Sequence, residues 1–404
     1  MSSWKQRVTA CVLSLTMVVA PVGMASAASA WQVLLYGAAA MAMAKQQLMK
    51  MDNGSQRQML AETQKKTGVA NEAYSDRLEQ IHRNLVSTGL IKRDYDVYAN
   101  PSKELNAFET IGGVISVNQG MMDALNDDEL AFTLSHEMQH GENRHAVNGV
   151  LKSIGISTLV NVAVGGNADM LDVLLGGLAI NYIDNEVVTM DQEKEADAKG
   201  FDVFKNTNYN VGGAASSMEY VYEQYGELYQ EGFNRVINPN NHPQMSSRIQ
   251  KLSGRMSQWS GNHVQVGGDM VYVNALPVVR PAPSGEYSSR RRAFLVAGNL
   301  ARVTHGVYGE AEDDDTVVTK PITGKTPSWQ VAQDGNNIVV NDQRIMTAAK
   351  GDDTQAIAAA IDKALQAKPA MLSKKEIEKL NKKWTKEHGY EATKETKNKP
   401  AKTL

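Results

Sequence analysis

The sequence predicts an α+β protein: a mostly helical domain with a small β-sheet, followed by a smaller α+β region of two ββα-like units. Three observations support this fold class. Residues 31–90 read as polar-faced helices, and a well-capped helix is predicted after Asn126. Alternating β-branched residues at 95–100 and 112–120 predict two short strands between these helices. Beyond residue 270, a strand–turn–strand–helix pattern occurs twice.

The composition is that of a globular protein. The chain has 404 residues, of which 42% are hydrophobic and 22% are charged. That length suffices for roughly two or three domains. The formal net charge is −3 and the pI is about 6.3, so nothing points to a nucleic-acid partner and we expect none.

The N-terminus has the features of a signal peptide. MSSWKQR is basic, VTACVLSLTMVVAPVGM is apolar but short, and ASAASA offers cleavage after Ala27 or Ala30. We therefore expect residues 1–27 to be removed and the protein to be exported; the alternative is an uncleaved anchor helix. Cys11 is the only cysteine, so the mature chain would have no disulfide.

Two apolar segments invite a metal or membrane interpretation. AAAMAMAKQQLMKM, near the start of 31–90, holds methionines that we interpret as packing or interface residues rather than metal ligands. The apolar, glycine-rich segment 156–183 is interrupted by Asn167, Asp169 and Asp172. We therefore predict a buried or interfacial helical hairpin there rather than a membrane span.

Residues 136–145, HEMQHGENRH, contain two histidines four positions apart. On an α-helix, His136 and His140 lie on one face and can share one Zn²⁺ ion. Glu137 lies beside that metal without having to bind it, where a general base for a water molecule belongs. Asn126 and the three acidic residues after it are typical of the start of such a helix. The alternative is a chance occurrence of the spacing, so a second signal is required.

A carboxylate ligand is predicted further along the chain, in DQEKEADAKG (191–200). Glu193 and Asp197 are again four positions apart. Glu193 can complete a site of two histidines and one glutamate that leaves one coordination position open. Asp197 can accept a hydrogen bond from the free ring nitrogen of a histidine ligand and so fix its orientation. The alternative is a solvated acidic helix face.

Arg144 and His145 follow the motif too closely to reach the same metal easily. We expect Arg144 to be a structural ion-pair partner, for instance of an acid in 191–197. We expect His145 to be a hydrogen-bonded core histidine rather than a catalytic one.

The C-terminal region shows a weak internal repeat. VYVNALPVVRP (271–281) precedes a predicted helix at 288–303, and IVVNDQRIMTAAK (338–350) precedes one at 353–365. Each unit reads as strand–turn–strand–helix, with Val-Asn at the turn. The lysine-rich tail that follows has little apolar periodicity. We thus divide the chain into a signal peptide, two folded regions and a tail, at 1–27, 28–260, 261–366 and 367–404.

The two metal-binding motifs resemble those of the HtpX/BepA/Oma-type zinc metallopeptidases, relatives of the CAAX prenyl endopeptidases. HEMQHGENRH and EKEAD look like the paired zinc motifs of that family. Residues 106–137 are similar to the strand–turn–helix that leads into its zinc helix, and NHPQMSSRI (241–249) resembles its His-Pro…Arg segment. The resemblance spans about 70–255 and fits the exported soluble branch, because the chain lacks multiple membrane spans.

The resemblance implies a gluzincin-like peptidase with one zinc ion per chain. The implied metal ligands are His136, His140 and Glu193, with Glu137 as the base. Arg248 and His242 fall in the segment that approaches the zinc. Arg248 is our first candidate donor to the oxyanion and His242 the second, with a turn-stabilising pair as the alternative. The strand with Gly112, Gly113 and Ile115 could pair with an extended substrate, although the glycines could equally form a turn or bulge.

We therefore expect a zinc endopeptidase of the bacterial cell envelope or periplasm that cleaves unfolded or misassembled polypeptides. His242 is further expected to cap the zinc and keep the resting enzyme latent. Residues 261–366 are the expected surface for an envelope protein partner, and 156–183 for a peripheral membrane contact. The alternative from another class is a non-catalytic chaperone or scaffold, against which the presence of Glu137 argues.

Overall fold

The computed structural model of the chain describes residues 30–154, 174–180, 188–228 and 244–388. Within these residues the protein is mostly helical, with small three-stranded β-sheets. The predicted signal peptide, most of the segment 156–183, His242 and the end of the lysine-rich tail lie outside the described residues. Among the described residues, no helix combines the length and the apolar character that a membrane crossing requires.

Three helices open the described chain, as predicted: α1 (Ala30–Gly54), α2 (Gln56–Thr67) and α3 (Glu72–Val86). The Asn71 side chain accepts a hydrogen bond from the backbone N–H of Ala73 and so caps α3. α3 buries Leu78, Ile81 and Leu85, whose spacing of three and four residues places them on one face. Several methionines of α1 pack against a hydrophobic cluster, in agreement with the packing role predicted for them.

The first sheet contains the strands β1 (Asp96–Asn100), β2 (Ala107–Thr110) and β3 (Val114–Asn118). The central β3 runs parallel to β1 and antiparallel to β2. Ile115 is buried in β3, and β3 is hydrogen-bonded on both sides, so it has no free edge for an added substrate strand. Gly112 and Gly113, with φ of 93° and 71°, form the turn between β2 and β3. The predicted pairing of Gly112, Gly113 and Ile115 with substrate is therefore corrected: the edge strands of the described sheet are β1 and β2.

The motif helix α5 (Asp127–Glu142) follows a short helix, α4 (Gln119–Ala124). Its start agrees with the prediction. The Asn126 side chain accepts from the N–H of Glu129, and the Glu129 side chain accepts from the N–H of Asn126. α5 is buried on all sides from Glu129 to Gly141, because it lies between the first sheet and neighbouring helices.

Further helices complete the N-terminal region: α6 (His145–Ser153), α7 (Met190–Phe204), α8 (Gly213–Tyr225) and α9 (Met245–Trp259). Residues 174–180 are also helical. α7 lies close along α5 because Gly200 has no side chain: a Cβ atom there would lie 3.1 Å from the Cα of His136. This close approach places the acidic first half of α7 beside the histidines of α5.

The two C-terminal units each contain three strands rather than the predicted two. β4 (Val264–Gly267), β5 (Met270–Val273) and β6 (Leu276–Val279) precede α10 (Ser289–Tyr308), and β7 (Val331–Asp334), β8 (Asn337–Val340) and β9 (Gln343–Thr347) precede α11 (Thr354–Gln366). The predicted ββα units are therefore βββα units. The first strands, VQVG and VAQD, have only four residues each, which is too short a run for the sequence pattern to distinguish them from loops. A last helix, α12 (Lys374–His388), lies in the predicted tail.

The two units repeat each other closely. The turn between the second and third strands lies at Asn274 and Ala275 in the first unit and at Asn341 and Asp342 in the second, and all four residues have positive φ. The strand register shifts once between these strands in each unit. The units also interlock: α10 packs on its own β4 and on β9 of the other unit, whereas α11 packs on its own β7 and on β6 of the other unit.

The N-terminal and C-terminal regions share apolar contacts. α10 packs against α8 and α9, and one hydrophobic cluster includes residues of α5, α8, α9 and both C-terminal sheets. The predicted division at residue 260 falls just after α9 and stays a prediction.

Candidate metal centre

His136 and His140 lie on one face of α5, where their spacing predicts them. Both side chains are buried, and their Nε2 atoms face each other at 3.0 Å. Two imidazole nitrogens held this close repel each other unless a proton or a cation lies between them. The geometry therefore points to a shared cation.

Glu193 brings a carboxylate to the two imidazoles from α7. Its Oε2 atom lies 3.8 Å from Nε2 of His136, and its Oε1 atom lies 3.7 Å from Nε2 of His140. The Thr189 side chain caps α7 and fixes the first turn, which contains Glu193. In the part of the chain that the structure describes, the ligand atoms of these three side chains lie within 4.8 Å of one another.

This group suits zinc. Zinc prefers a tetrahedron of ligand atoms at roughly 2.0–2.2 Å, which separates neighbouring ligand atoms by roughly 3.3 Å. The observed separations of 3.0, 3.7 and 3.8 Å bracket that value. Two imidazoles and one carboxylate leave the fourth position open, which is typical of catalytic rather than structural zinc sites.

Asp197 orients His136 from outside the ligand group. Its Oδ1 atom lies 3.0 Å from Nδ1 of His136. A histidine that binds a metal through Nε2 carries its proton on Nδ1 and donates it to such a carboxylate. Burial would raise the pKa of Asp197, but the charge of Arg248 and the hydrogen bond from His136 outweigh burial and hold that pKa well below its usual range. Asp197 is therefore ionised.

Arg248 is buried and bound to two carboxylates. Its Nε and Nη2 atoms donate to Asp197 at 2.8 and 2.7 Å, and its Nη1 atom lies 3.2 Å from Oε2 of Glu193. The two parallel hydrogen bonds fix the plane of the guanidinium. These contacts favour a role in holding Glu193 and Asp197 over the predicted role as donor to the oxyanion.

His145 has a role that the sequence analysis missed. It is buried and hydrogen-bonded, as expected for a core histidine, but its partner is a metal-ligand candidate: the Nδ1 atoms of His145 and His140 lie 3.0 Å apart. Its Nε2 atom lies 3.4 Å from the carboxylate of Glu195. Burial lowers the pKa of His145, which favours the neutral ring that can accept the proton on Nδ1 of His140. His140 thus has an outer partner, as His136 has in Asp197.

The turn after α5 explains how His145 reaches back to the site. Arg144 has a φ of 58°, a left-handed conformation that is uncommon outside glycine, and it turns the chain between α5 and α6. Its guanidinium forms an ion pair with Asp52 of α1, which also binds Arg93 at 2.9 Å. The predicted ion pair of Arg144 is present, but its partner is Asp52 and not an acid in 191–197. A contact with so distant a part of the chain leaves no local signal in the sequence.

Glu137 lines a narrow cavity together with His136. Asn106 and Ala107, at the start of β2, form one wall of this cavity. The other walls are largely apolar and include Met121, Leu125, Met218, Val221 and Met245. The described residues do not include His242.

Comparisons with known proteins agree with this arrangement. Residues 71–256, which include the three ligand candidates and Glu137, match the sequence pattern of Peptidase family M48. The chain is similar to Metalloprotease LoiP of Escherichia coli K12, with 27% identity over 192 residues, covering 46% of this chain and 73% of LoiP. It is also similar to Metalloprotease YcaL of the same organism, with 28% identity over 230 residues, covering 55% of this chain and 82% of YcaL. A putative beta-barrel assembly-enhancing protease of Vibrio cholerae is 24% identical over 208 residues, covering 47% of this chain and 40% of that protein.

Proposed function

Since residues 71–256 belong to peptidase family M48, we propose that this metallopeptidase is an endopeptidase of the bacterial cell envelope that cleaves unfolded or misassembled proteins. Zinc is the cofactor that the family uses, and His136, His140 and Glu193 form the group that would hold it. The observation that carries the proposal is the convergence of these three side chains beside Glu137 and its cavity.

The residues of the site divide the work of peptide hydrolysis. Zinc held there supplies a Lewis acid that polarises the scissile carbonyl and lowers the pKa of a water molecule. Glu137 accepts the proton of the attacking water and delivers it to the leaving amine. Asp197 and His145 keep the two imidazoles in the orientation that presents Nε2. Arg248 holds Glu193 and Asp197 in place through its ion pairs.

The substrate backbone is proposed to add to β2. Among the described residues, β2 is one of the two edge strands of its sheet and pairs only with β3. Asn106 and Ala107 line the same cavity as Glu137. An extended peptide hydrogen-bonded along β2 would therefore pass close to Glu137.

The apolar walls of the cavity support unfolded proteins as substrates. Methionine side chains adapt to differently shaped apolar groups, and Met218 and Met245 line the same cavity as Glu137. A side chain that enters this cavity is therefore expected to be apolar. Folded proteins keep most such side chains inside, whereas unfolded proteins expose them.

The cell envelope is proposed from the N-terminal sequence, which reads as a signal peptide for export. The Vibrio cholerae relative is named for β-barrel assembly, a process in which misassembled proteins would be the substrates of a protease. Residues 261–366 stay our proposed surface for an envelope protein partner, and 156–183 our proposed membrane contact.

The proposed latency through His242 also stays open to test. A neutral imidazole in the fourth zinc position would exclude the attacking water. The variant His242→Ala should then cleave an unfolded substrate faster than the native protein while its zinc content stays the same. Slower cleavage by a folded, zinc-loaded His242→Ala protein would end the latency proposal.

The decisive experiment for the function compares the native protein with Glu137→Gln and Glu193→Ala. Metal analysis and a casein cleavage assay are applied to all three purified proteins. We expect the native protein to hold zinc and cleave casein, Glu137→Gln to hold zinc without cleaving, and Glu193→Ala to lose both properties. If cells that produce only Glu137→Gln grow and maintain their envelope as well as cells with the native protein, the non-catalytic chaperone or scaffold would be favoured.

A further inference from the structure

Three consecutive arginines at the start of α10 are almost completely buried. Arg290, Arg291 and Arg292 are 3%, 0% and 9% exposed. Each pairs with an acid from a different part of the fold. Arg290 lies 3.0 Å from Glu219 of α8, Arg291 lies 2.8 Å from Glu129 of α5, and Arg292 lies 2.9 Å from Asp352, which precedes α11.

Arg291 makes the most constrained of these contacts. Its Nη2 atom lies 2.8 and 2.9 Å from the two carboxylate oxygens of Glu129, and its Nε atom lies 3.3 Å from one of them. The rings of Tyr220 and Tyr287 lie 4.3 and 4.2 Å from the guanidinium carbon. The two aromatic rings pack against the guanidinium, and its hydrogen bonds to the carboxylate of Glu129 fix its rotation. Together these contacts allow the guanidinium one orientation.

Glu129 is the point at which this contact reaches the metal helix. Its side chain is fully buried and also caps α5 through the N–H of Asn126 at 3.0 Å. Glu129 lies seven positions before His136, which is two helical turns, or roughly 10 Å along the axis. Residues seven apart lie on nearly the same face of a helix. A shift or rotation of α5 at Glu129 is therefore transmitted to the ring of His136.

The far end of α5 is held as well. Arg93 donates to the carbonyl oxygen of Gly141 at 2.6 Å, and the hydroxyl of Tyr95 donates to the carbonyl oxygen of Met138 at 2.7 Å. These residues lie inside the region that matches the peptidase family, whereas Arg291 lies outside it. The N-terminal end of α5 thus contacts the C-terminal units through Arg291, in addition to Arg77, which binds Asp127, and the N–H of Asn210, which donates to Asp128.

We propose that Arg291 is a positioning residue for the metal centre: through Glu129 it sets the axial position and rotation of α5, and with them the separation of His136 and His140 from Glu193. The inference rests on the proposed metal site. It assigns to the C-terminal units a part in building the site, in addition to any role in binding a partner.

The test compares Arg291→Met with Arg292→Met in the full-length chain. Both variants remove one buried arginine from the same helical turn and leave one buried acid behind, but Asp352 does not belong to α5. Zinc affinity is measured by competition with a chelator, and thermal stability is measured beside it. We expect both variants to lose stability. We expect Arg291→Met to bind zinc roughly 10–100-fold more weakly, as for other groups that orient metal ligands, and Arg292→Met to stay within twofold of the native affinity.

A second variant covers the case in which Arg291→Met does not fold. In Arg291→Met with Glu129→Gln, neither buried charge is left unpaired, so the protein should fold, yet the fork that orients α5 is still missing. Its zinc affinity should stay below the native value. Native affinity in this double variant, or equal losses of affinity in Arg291→Met and Arg292→Met, would overturn the proposal. A native protein that binds zinc without cleaving casein would instead refute the proposed function and leave this inference standing.

Discussion

The two candidate histidine ligands, His136 and His140, have outer partners of different chemistry. Nδ1 of His136 lies 3.0 Å from the ionised carboxylate of Asp197, whereas Nδ1 of His140 lies 3.0 Å from Nδ1 of the neutral ring of His145. A carboxylate attracts the Nδ1 proton more strongly than a neutral imidazole does and therefore makes the ligand more electron-rich. The two outer partners should contribute unequally to zinc binding.

The variant His145→Phe keeps the ring volume but removes the acceptor for His140. We expect zinc affinity to fall roughly tenfold, and to fall further, toward roughly 100-fold, in Asp197→Ala. Chelator competition on both purified proteins measures these losses. His305→Phe provides a control, because His305 stacks on Trp259 away from the ligand group. Unchanged affinity in His145→Phe would mean that His145 is only a core residue.

For individual residues, the sequence predicts those features that depend on spacing along a helix. His136, His140 and Glu193 follow from helical intervals of four and from the paired motifs. The ion pair of Arg144 with Asp52 does not, because the partner depends on how α1 crosses the end of α5. The same holds for Arg248, whose distance from the two carboxylates is set by packing.

At the scale of secondary-structure elements, the metal centre requires that α7 packs closely against α5. A Cβ atom at position 200 would lie 3.1 Å from Cα and 3.2 Å from N of His136. These are main-chain atoms of a buried helix, so they cannot move aside without moving the imidazole. The absence of a side chain at Gly200 therefore sets the distance between Glu193 and the histidines.

The variant Gly200→Ala should push α7 away from α5 and loosen the ligand group. We expect a loss of about 1–3 kcal/mol in the free energy of unfolding and weaker zinc binding. Denaturant unfolding and chelator competition measure the two effects. Gly254→Ala in α9 is the matched control: no atom lies within 4 Å of the added Cβ, so it should stabilise the protein by about 0.4–1 kcal/mol. Equal behaviour of the two variants would contradict the packing argument.

The contact between α8 and α10 should depend on pH. Burial raises the pKa of Glu219 to about 7, although the charge of Arg290 opposes the shift. Because the pKa of Glu219 is higher in the folded state, its protonation stabilises the folded protein. This stabilisation is complete at a pH below the unfolded pKa of about 4.3 and is lost as the pH rises through about 7. The melting temperature should therefore fall more between pH 5 and pH 8 in the native protein than in Glu219→Gln. Glu62→Gln, at the surface, controls for the loss of one charge; the same pH slope in all three proteins would rule out Glu219 as the cause.

Sequence patterns predicted the helices and the strands β1 and β3 better than the first strands of the C-terminal units. α5 has a capping box and apolar turns, and β3 has an alternating β-branched run, so both were predictable. β4 and β7 form strands because β5 and β8 pair with them. The four residues of each are too few to predict a strand by themselves. Pairing partners, rather than propensity, decide such short strands.

At the scale of the whole molecule, the C-terminal units and the N-terminal region share one hydrophobic core. α10 covers α8, and its arginines reach acids of α5 and α8. Ion pairs between residues so far apart in the chain produce no periodic pattern in the sequence. The sequence therefore suggests a division at residue 260 but does not reveal the contacts between the regions on either side of it. The family match, which ends at residue 256, does not include these contacts either.

A chain limited to 28–260 tests that division. It would leave Glu129 and Glu219 without their arginines and expose the apolar surface under α10. We expect it to unfold at a lower temperature than the mature full-length chain and to bind zinc more weakly. Calorimetry and metal analysis check this expectation. A 28–260 chain with native stability and zinc content would show that the region from 28 to 260 is an independent domain.

The distance along the chain between Glu129 and Arg291 has a consequence for biosynthesis. Arg291 follows Glu129 by 162 positions, and chains emerge from their N-termini during synthesis. With α5 oriented by α10, the hydrolytic centre is finished only when most of the polypeptide has appeared. Until Arg291 has emerged, the nascent chain therefore has an incompletely oriented α5 and should cleave no neighbouring protein.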